Sequence, residues 1–401
     1  MSRLAGRGRL AHVGGTWLWL MLLVAPVVPA LEVTLTAKYH GGGSGRFENT
    51  TPPGGLCQSW GSTCRNQMTV TLPITYTKTT IRTASDVRDT FFVKVPARRE
   101  IEVRSDDGLE SRRMVFEWTA LSQRVLGANL NRHTLYQATP EGGCSSIGSV
   151  SQFRPALVSY LWRIGDPISP GACTADGGYA AAGFSQNLDV QETSVAFQLD
   201  LPPPYRLRSG TYRGSTTYRI GPGMDFDFGN GVSALSGDTL TVNFELDVQH
   251  AFVFEFPPGS DRAVLEPRGG WQAWLGGGRV PQRLYRDLPF RVWSTGPFKV
   301  YKLCQYDSGT QCAIRDAASH QADLGVALSL PGGIQHGGGA VQRLPLPTGR
   351  AMAVQFESVQ PVANRPGQLH FAIESDQVRG MLANAGSTYT GLVTVVFDAE
   401  L

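Results

Sequence analysis

Residues Ser387 to Leu401 read "STYTGLVTVVFDAEL". In an extended chain successive side chains point to opposite faces, which places Tyr389, Gly391, Val393, Val395 and Phe397 on one face and Leu392, Thr394 and Val396 on the other. Apolar residues on both faces are the mark of a strand inside a β core. Four residues follow Phe397, too few for another strand. The expectation is therefore a core strand whose outer edge needs cover from elsewhere.

The same period of two recurs upstream. "LEVTLTAKYH" sets Leu31, Val33, Leu35, Ala37 and Tyr39 against Glu32, Thr34, Thr36, Lys38 and His40, a strand expected to open the first domain rather than to extend from it. Strand-like runs follow at 68–81, 91–103, 114–126, 156–164, 195–201, 211–220, 224–228 and 239–246, then, from Ala251, shorter ones at 251–256, 283–293, 298–306, 324–330, 352–359 and 369–373. No stretch of ten or more residues sustains a helical period with caps. With 47 Gly and 25 Pro as turn formers, the fold class is all-β.

A chain of 401 residues exceeds the usual single core. Residues 1–30 have the layout of a secretory signal: Arg3, Arg7 and Arg9, an apolar run from Trp17 to Val28, and small residues before Ala30. The two β runs "DTLTVNFEL" and "AFVFEF" are separated by four residues, which suggests a first domain at 31–247, a linker at 248–250 and a second domain at 251–401. Loss of the three signal arginines brings the formal net charge from +3 to neutral, so the chain lacks the footprint of a nucleic-acid binder.

Cys57, Cys64, Cys144, Cys173, Cys304 and Cys312 form no C-x-x-C, and an even count behind a signal segment reads as disulfides in an oxidising compartment. Proximity suggests Cys57 with Cys64, Cys144 with Cys173 and Cys304 with Cys312, among about 15 arithmetically possible connectivities. Neither these spacings nor the scattered histidines match a zinc site. The expectation is no metal and no cofactor.

Strand spacing in the second half suggests an immunoglobulin-like sandwich lacking its last strand, completed by a strand from another polypeptide. The groove would then be flanked by Tyr389, Gly391, Val393, Val395 and Phe397. Four stretches, "TVNFELDVQHAFVFEFPP", "VYKLCQYDSG", "RPGQLHFAIES" and "GSTYTGLVTVVFDAEL", resemble in order and spacing the pilin domain of the CblD-like pilus initiators, tip subunits of class 5 (alternate) chaperone-usher fimbriae. The resemblance covers 210–401 and is weaker from 31 to 209. It implies two sandwiches in tandem, an adhesin domain before the pilin domain, and secretion through the periplasm to the pilus tip. The implied partners are a periplasmic chaperone, an outer-membrane usher, the major pilin subunit and a host glycan receptor. In the family a cysteine equivalent to Cys304 can pair just ahead of the "PGQL" stretch; Asn364 and Arg365 stand there, leaving Cys312.

Aromatic rings stack on sugars and arginine forks onto carboxylates. Trp60, inside the Cys57 to Cys64 loop, is thus a receptor candidate, and so is Arg219, although the paired arginines of the family are missing beside it. A tryptophan packed on its own disulfide is at least as ordinary, and Arg98, Arg99, Arg112 and Arg113 read as solvated strand residues. "GMDFDFGNG" has oxygen ligands in Asp225, Asp227 and Asn230 but fails the spacing of a calcium loop. A glycan-active hydrolase is the enzymatic alternative to a tip adhesin, and a minor pilin without a receptor is the structural one. The chain has neither G-x-S-x-G nor H-E-x-x-H, and the expectation is no catalysis.

Overall fold

The computed structural model describes residues 31–41, 45–64 and 67–399. The expected signal segment lies outside the described residues, as do 42–44 and 65–66. Strands dominate, as the alternation requires, and their apolar faces gather into two large cores. One is built from residues between Leu31 and Val248, the other from residues between Leu284 and Val378.

The main sheet of the first half runs Tyr76–Ile81, Ser185–Asp200, Ser111–Gly127, Arg99–Ser105, Gly210–Arg219, Thr239–Gln249 and Leu31–His40. Ser111–Gly127 is long enough to change partner. It pairs with Arg99–Ser105 at its start and with Ala156–Ile164 at its end. Opposite, Ser185–Asp200 follows it through two register shifts, and such irregularities increase local twist and bend the sheet around its core.

Leu31–His40 is an integral strand. It lies parallel to Thr239–Gln249 in an unbroken register from Leu31↔Leu240 to His40↔Gln249, with Leu35, Ala37 and Tyr39 buried. Thr239–Gln249 continues through Val248, which is buried in the first core, so two of the three residues expected in a linker are strand. At the joint the chain turns tightly. A side chain at Gly41 would sit 2.1 Å from the Ala251 amide and 2.3 Å from Thr295 Oγ1, so only glycine fits. His250 stacks edge-on against Tyr39 at 5.5 Å and its Nε2 lies 2.7 Å from the Leu207 carbonyl.

Prolines cut two of the expected strands. Pro73 divides 68–81 into Val70–Leu72 and Tyr76–Ile81, and Pro96 separates Phe91–Val93 from Arg99–Ser105, which join different sheets. The run 224–228 is not a strand. It makes only single bridges, Ile220↔Phe226 and Lys94↔Asp227, because its carboxylates are drawn to cations: Arg88 forks onto Asp227 at 2.8 and 2.9 Å, and Arg99 meets Asp225 at 2.7 Å. Beneath this loop the fully buried Lys78 donates from Nζ to the carbonyls of Arg88 and Asn230. Burial pushes its ammonium down to about 8, with Asp89 and Asp227 opposing that shift. Gly229, at φ +75°, leaves room for the lysine; a side chain there would meet the Arg88 carbonyl at 2.5 Å.

The second half is a sandwich of a seven-stranded and a five-stranded sheet. The first contains Phe252–Glu255, Leu284–Ser294, Val362–Ile373 and Gln321–Ser329; the second contains Val354–Ser358, Phe298–Cys304 and Val393–Asp398. The disulfides are Cys57 to Cys64, Cys144 to Cys173 and Cys304 to Cys312.

His133 is fully buried, with Nδ1 accepting the Leu135 amide at 3.1 Å and Nε2 lying 3.3 Å from the Val125 carbonyl. Desolvation holds its imidazole down at about 4 from an ordinary 6.5; a proton on Nδ1 would also confront the Leu135 N–H. Between pH 4 and 6.5 the unfolded chain therefore binds a proton that the folded chain refuses, and stability falls as pH falls through that window. At about 1.36 kcal/mol per unit the loss is on the order of 3 kcal/mol. Denaturant unfolding of the first half at pH 4.5 and 7 should show this loss, and His133→Gln should flatten the difference between the two pH values.

Candidate functional site

Val393–Asp398 pairs antiparallel with Phe298–Cys304, from Cys304↔Val393 to Lys299↔Asp398. Among the described residues no strand pairs with its other edge. On the facing sheet, Phe252–Glu255 covers Leu284–Ser294 only over Arg291 to Ser294. The rest of that edge meets one isolated bridge, Glu266↔Tyr285. A groove of about 1430 Å³ opens between the two sheets.

Its walls are apolar and come from both sheets, Leu284, Leu288, Leu369 and Phe371 on one side and Val393, Val395 and Phe397 on the other. Phe397 ties the walls together, its ring 3.9 Å from Phe254 and 6.0 Å from Phe290. Tyr389 and Gly391 line the groove too, but from outside the strand, which begins only at Val393. Thr390 instead bridges Arg315, and a side chain at Gly391 would come 2.9 Å from the Ala313 carbonyl. The opposite face of the strand turns outward at Thr394, which is exposed and stands outside the lining, whereas Leu392, 67% exposed, is part of the lining.

Two groove elements escape the strand pattern. Helix Ser375–Ala383 contributes Val378 and Met381, followed in the lining by Leu382, and the segment from Phe256 to Trp274 rims the opening. The helix is nine residues long, and its only sequence signal is Val378, Met381 and Leu382 at a spacing of three and four. Protein interiors are packed nearly without voids, so a groove this large leaves the apolar face of Val393, Val395 and Phe397 without the close cover of a core strand. Each apolar side chain buried there contributes about 1.5–3 kcal/mol. Ordering a chain inserted there would cost about 1–2 kcal/mol per residue, which hydrogen bonds to the free edge of the strand would help to offset.

The first half does not bring its two receptor candidates together. Trp60 follows the single helical turn Leu56–Ser59 and is 46% exposed on the Cys57 to Cys64 loop. Arg219 is exposed at the rim of a separate cleft of about 440 Å³, lined by Lys94, Pro96, Ile168, Met224 and Asp225 but not by Trp60. Arg99 is less free than its sequence suggests, with its guanidinium 4.1 Å from the Tyr218 ring. Arg112 pairs with Glu110, while Arg98 and Arg113 are exposed.

A polar constellation on the second half was not legible in sequence. Ser329 Oγ lies 2.8 Å from His370 Nε2, and His370 Nδ1 lies 2.7 Å from Asp287 Oδ1. Three neighbouring strands supply these residues. Arg343 closes the group, its amide donating to Ser329 Oγ at 2.9 Å and its guanidinium to Asp287 Oδ2 at 3.0 Å. Burial pushes the Asp287 carboxyl up, but the contacts with His370 and Arg343 outweigh it and leave the carboxyl below its ordinary value.

No family model matches the chain, and no curated protein matches it. Among solved structures it is similar to the chaperone and tip adhesion subunit pre-assembly complex CsuC–CsuE from the archaic chaperone-usher Csu pili of Acinetobacter baumannii. Identity is 9%, coverage is 92% of this chain and 99% of that one, and the TM-score is 0.21. A match at that TM-score carries no weight for fold or function.

On dilution from denaturant, before aggregation sets in, the unfilled groove should bind an apolar fluorescent dye such as anilinonaphthalene sulfonate. Val395→Lys should reduce the fluorescence gain by about fivefold or more, since it places a charge on the apolar wall. Thr394→Lys, on the outward face of the same strand, should leave it unchanged.

Proposed function

We propose that this chain is a subunit of a chaperone-usher pilus, secreted through the periplasm, whose second sandwich is completed by a strand from another polypeptide. What supports this is the groove: two sheets with open edges among the described residues and between them a largely apolar space, the chemistry that an alternating strand requires. A periplasmic chaperone lends the first such strand, and at the usher a neighbouring pilin replaces it. The first half, with its own core and an integral opening strand, is the adhesin domain; its receptor class, on the resemblance of the sequence, is host glycan. A strand placed between Val393–Asp398 and Leu284–Ser294 would set its apolar side chains against Val393, Val395 and Phe397.

The hydrolase reading has one observation in its favour, the Ser329, His370 and Asp287 chain of hydrogen bonds. It also has two against it. Ser329 Oγ already accepts the Arg343 amide, and none of the three residues lines either cleft described above. A nucleophile needs a neighbouring space where substrate and oxyanion donors meet. We read the constellation as a pin that holds the Arg343 turn against the sheet.

Two experiments bear on these readings. Periplasmic expression of the chain alone should give aggregation or proteolysis. Co-expression with a pilus chaperone, or refolding with a peptide of alternating apolar residues, should give a soluble one-to-one complex. A lone chain that is monomeric, cooperatively folded in both halves and indifferent to the peptide would exclude the assignment. For the second, a fluorophosphonate probe should leave Ser329 unlabelled in the folded complex.

A further inference from the structure

Three aromatic rings on three separate turns of the first half meet at the surface. Tyr136 lies in the turn after the buried His133, Phe153 stands at the tip of the hairpin joining Cys144–Gln152 to Ala156–Ile164, and Tyr179 follows Cys173–Ala175. Tyr136 is the hub, with ring centroids 6.3 Å from Phe153 and 6.2 Å from Tyr179 at interplanar angles of 66° and 75°. The outer two are 66% and 69% exposed. Neither ring contributes to the first core.

Isolated exposed apolar side chains are ordinary, but a contiguous aromatic cluster is not. A hairpin tip is served by small polar residues, so Phe153 does nothing for the turn it occupies. The cluster is also held rigid. Backbone bonds from Gly177 to Thr134, Gly178 to Tyr136 and Tyr179 to Asn131 zip two of the loops together at 2.6–2.9 Å. The Cys144 to Cys173 disulfide ties the strand before Phe153 to the strand before Tyr179. Gln137 sits beside the rings at φ +54°, a left-handed backbone that costs a non-glycine residue of order 1 kcal/mol, and its Oε1 accepts the Tyr179 hydroxyl.

We propose that Tyr136, Phe153 and Tyr179 form a saccharide-binding platform that takes a pyranose ring by its apolar C–H face. The proposal rests on the adhesin reading of the first half and names its site. The rings meet edge to face, and the exposed Phe153 and Tyr179 each offer an apolar ring surface beside the Tyr136 hub. The rim supplies what hydroxyl groups need: the exposed Gln137 amide, the Tyr179 hydroxyl and the exposed side chains of Asn131 and Arg154. A protein partner would call for a larger apolar centre than three rings, and a lipid surface for aliphatic side chains that the rim lacks. Rigid aromatics with a hydrogen-bonding border fit an amphipathic, hydroxylated ligand.

The test is a glycan array with neutral and acidic saccharides, probed with the full chain in complex with a groove-filling peptide or chaperone. Wild-type chain should bind a defined subset. Phe153→Ala and Tyr179→Ala should each lower the affinity by about tenfold or more with an unchanged melting temperature, and Trp60→Ala and Arg219→Ala should not. Binding that weakens steeply with salt and on Arg154→Ala identifies an acidic sugar; salt-insensitive binding identifies a neutral one. A folded complex that binds no saccharide, or that binds one equally well without Phe153 and Tyr179, overturns the platform while leaving the groove reading intact. Sugar binding by a chain that refuses every donor peptide would overturn the groove reading alone.

Discussion

The second half depends on a strand whose hydrogen-bond ladder is made, among the described residues, on one side only. Val393–Asp398 is held by Phe298–Cys304, and its apolar face looks across a gap to the other sheet. Both requirements of a core strand, a paired edge and a covered face, are therefore half met. Its neighbours accommodate this: the helix Ser375–Ala383 closes the floor and the segment from Phe256 to Trp274 lies along the rim. Filling the gap with one alternating strand would satisfy edge and face together, which no small molecule could do.

Most of the fold was legible because its strands alternate. The expected 156–164 coincides with Ala156–Ile164, and 211–220 and 283–293 with Gly210–Arg219 and Leu284–Ser294 to within a residue. The failures have identifiable causes. Cys144–Gln152 reads "CSSIGSVSQ" and has one buried residue, Ile147, so hydrophobic period carries no signal there. Cys312–Arg315 is too short to show one. The run 224–228 alternates perfectly but is a loop, since ion pairs with Arg88 and Arg99 outweigh β propensity. Of the final strand the alternation of Val393 to Phe397 was legible, whereas Tyr389 and Gly391, expected on the same strand, lie ahead of its first residue. The Ser329 constellation and the aromatic cluster left no trace in the sequence, since each joins residues distant along the chain.

Both halves bury charged groups and anchor them to backbone carbonyls. The first buries charged and titratable groups beneath its loops, Lys78 under the 226–231 turn and His133 under the 134–137 turn, each anchored to backbone groups. Such anchors fix loop conformation without a large local apolar contact, which suits surfaces that must present side chains in defined positions. The second half does the same with Lys302, buried with its Nζ donating to the carbonyls of Leu346 and Thr310.

The parallel pairing at the joint has a mechanical consequence. Thr239–Gln249 lies between Leu31–His40 and Gly210–Arg219 and is bonded to both over ten residue pairs, and it is this strand that continues into the second half. Tension applied through His250 would pull it lengthwise, so that both ladders are loaded in shear at once instead of parting one bond after another. A molecule anchored at one end and dragged by flow would thus meet the load where its sheet is hardest to tear.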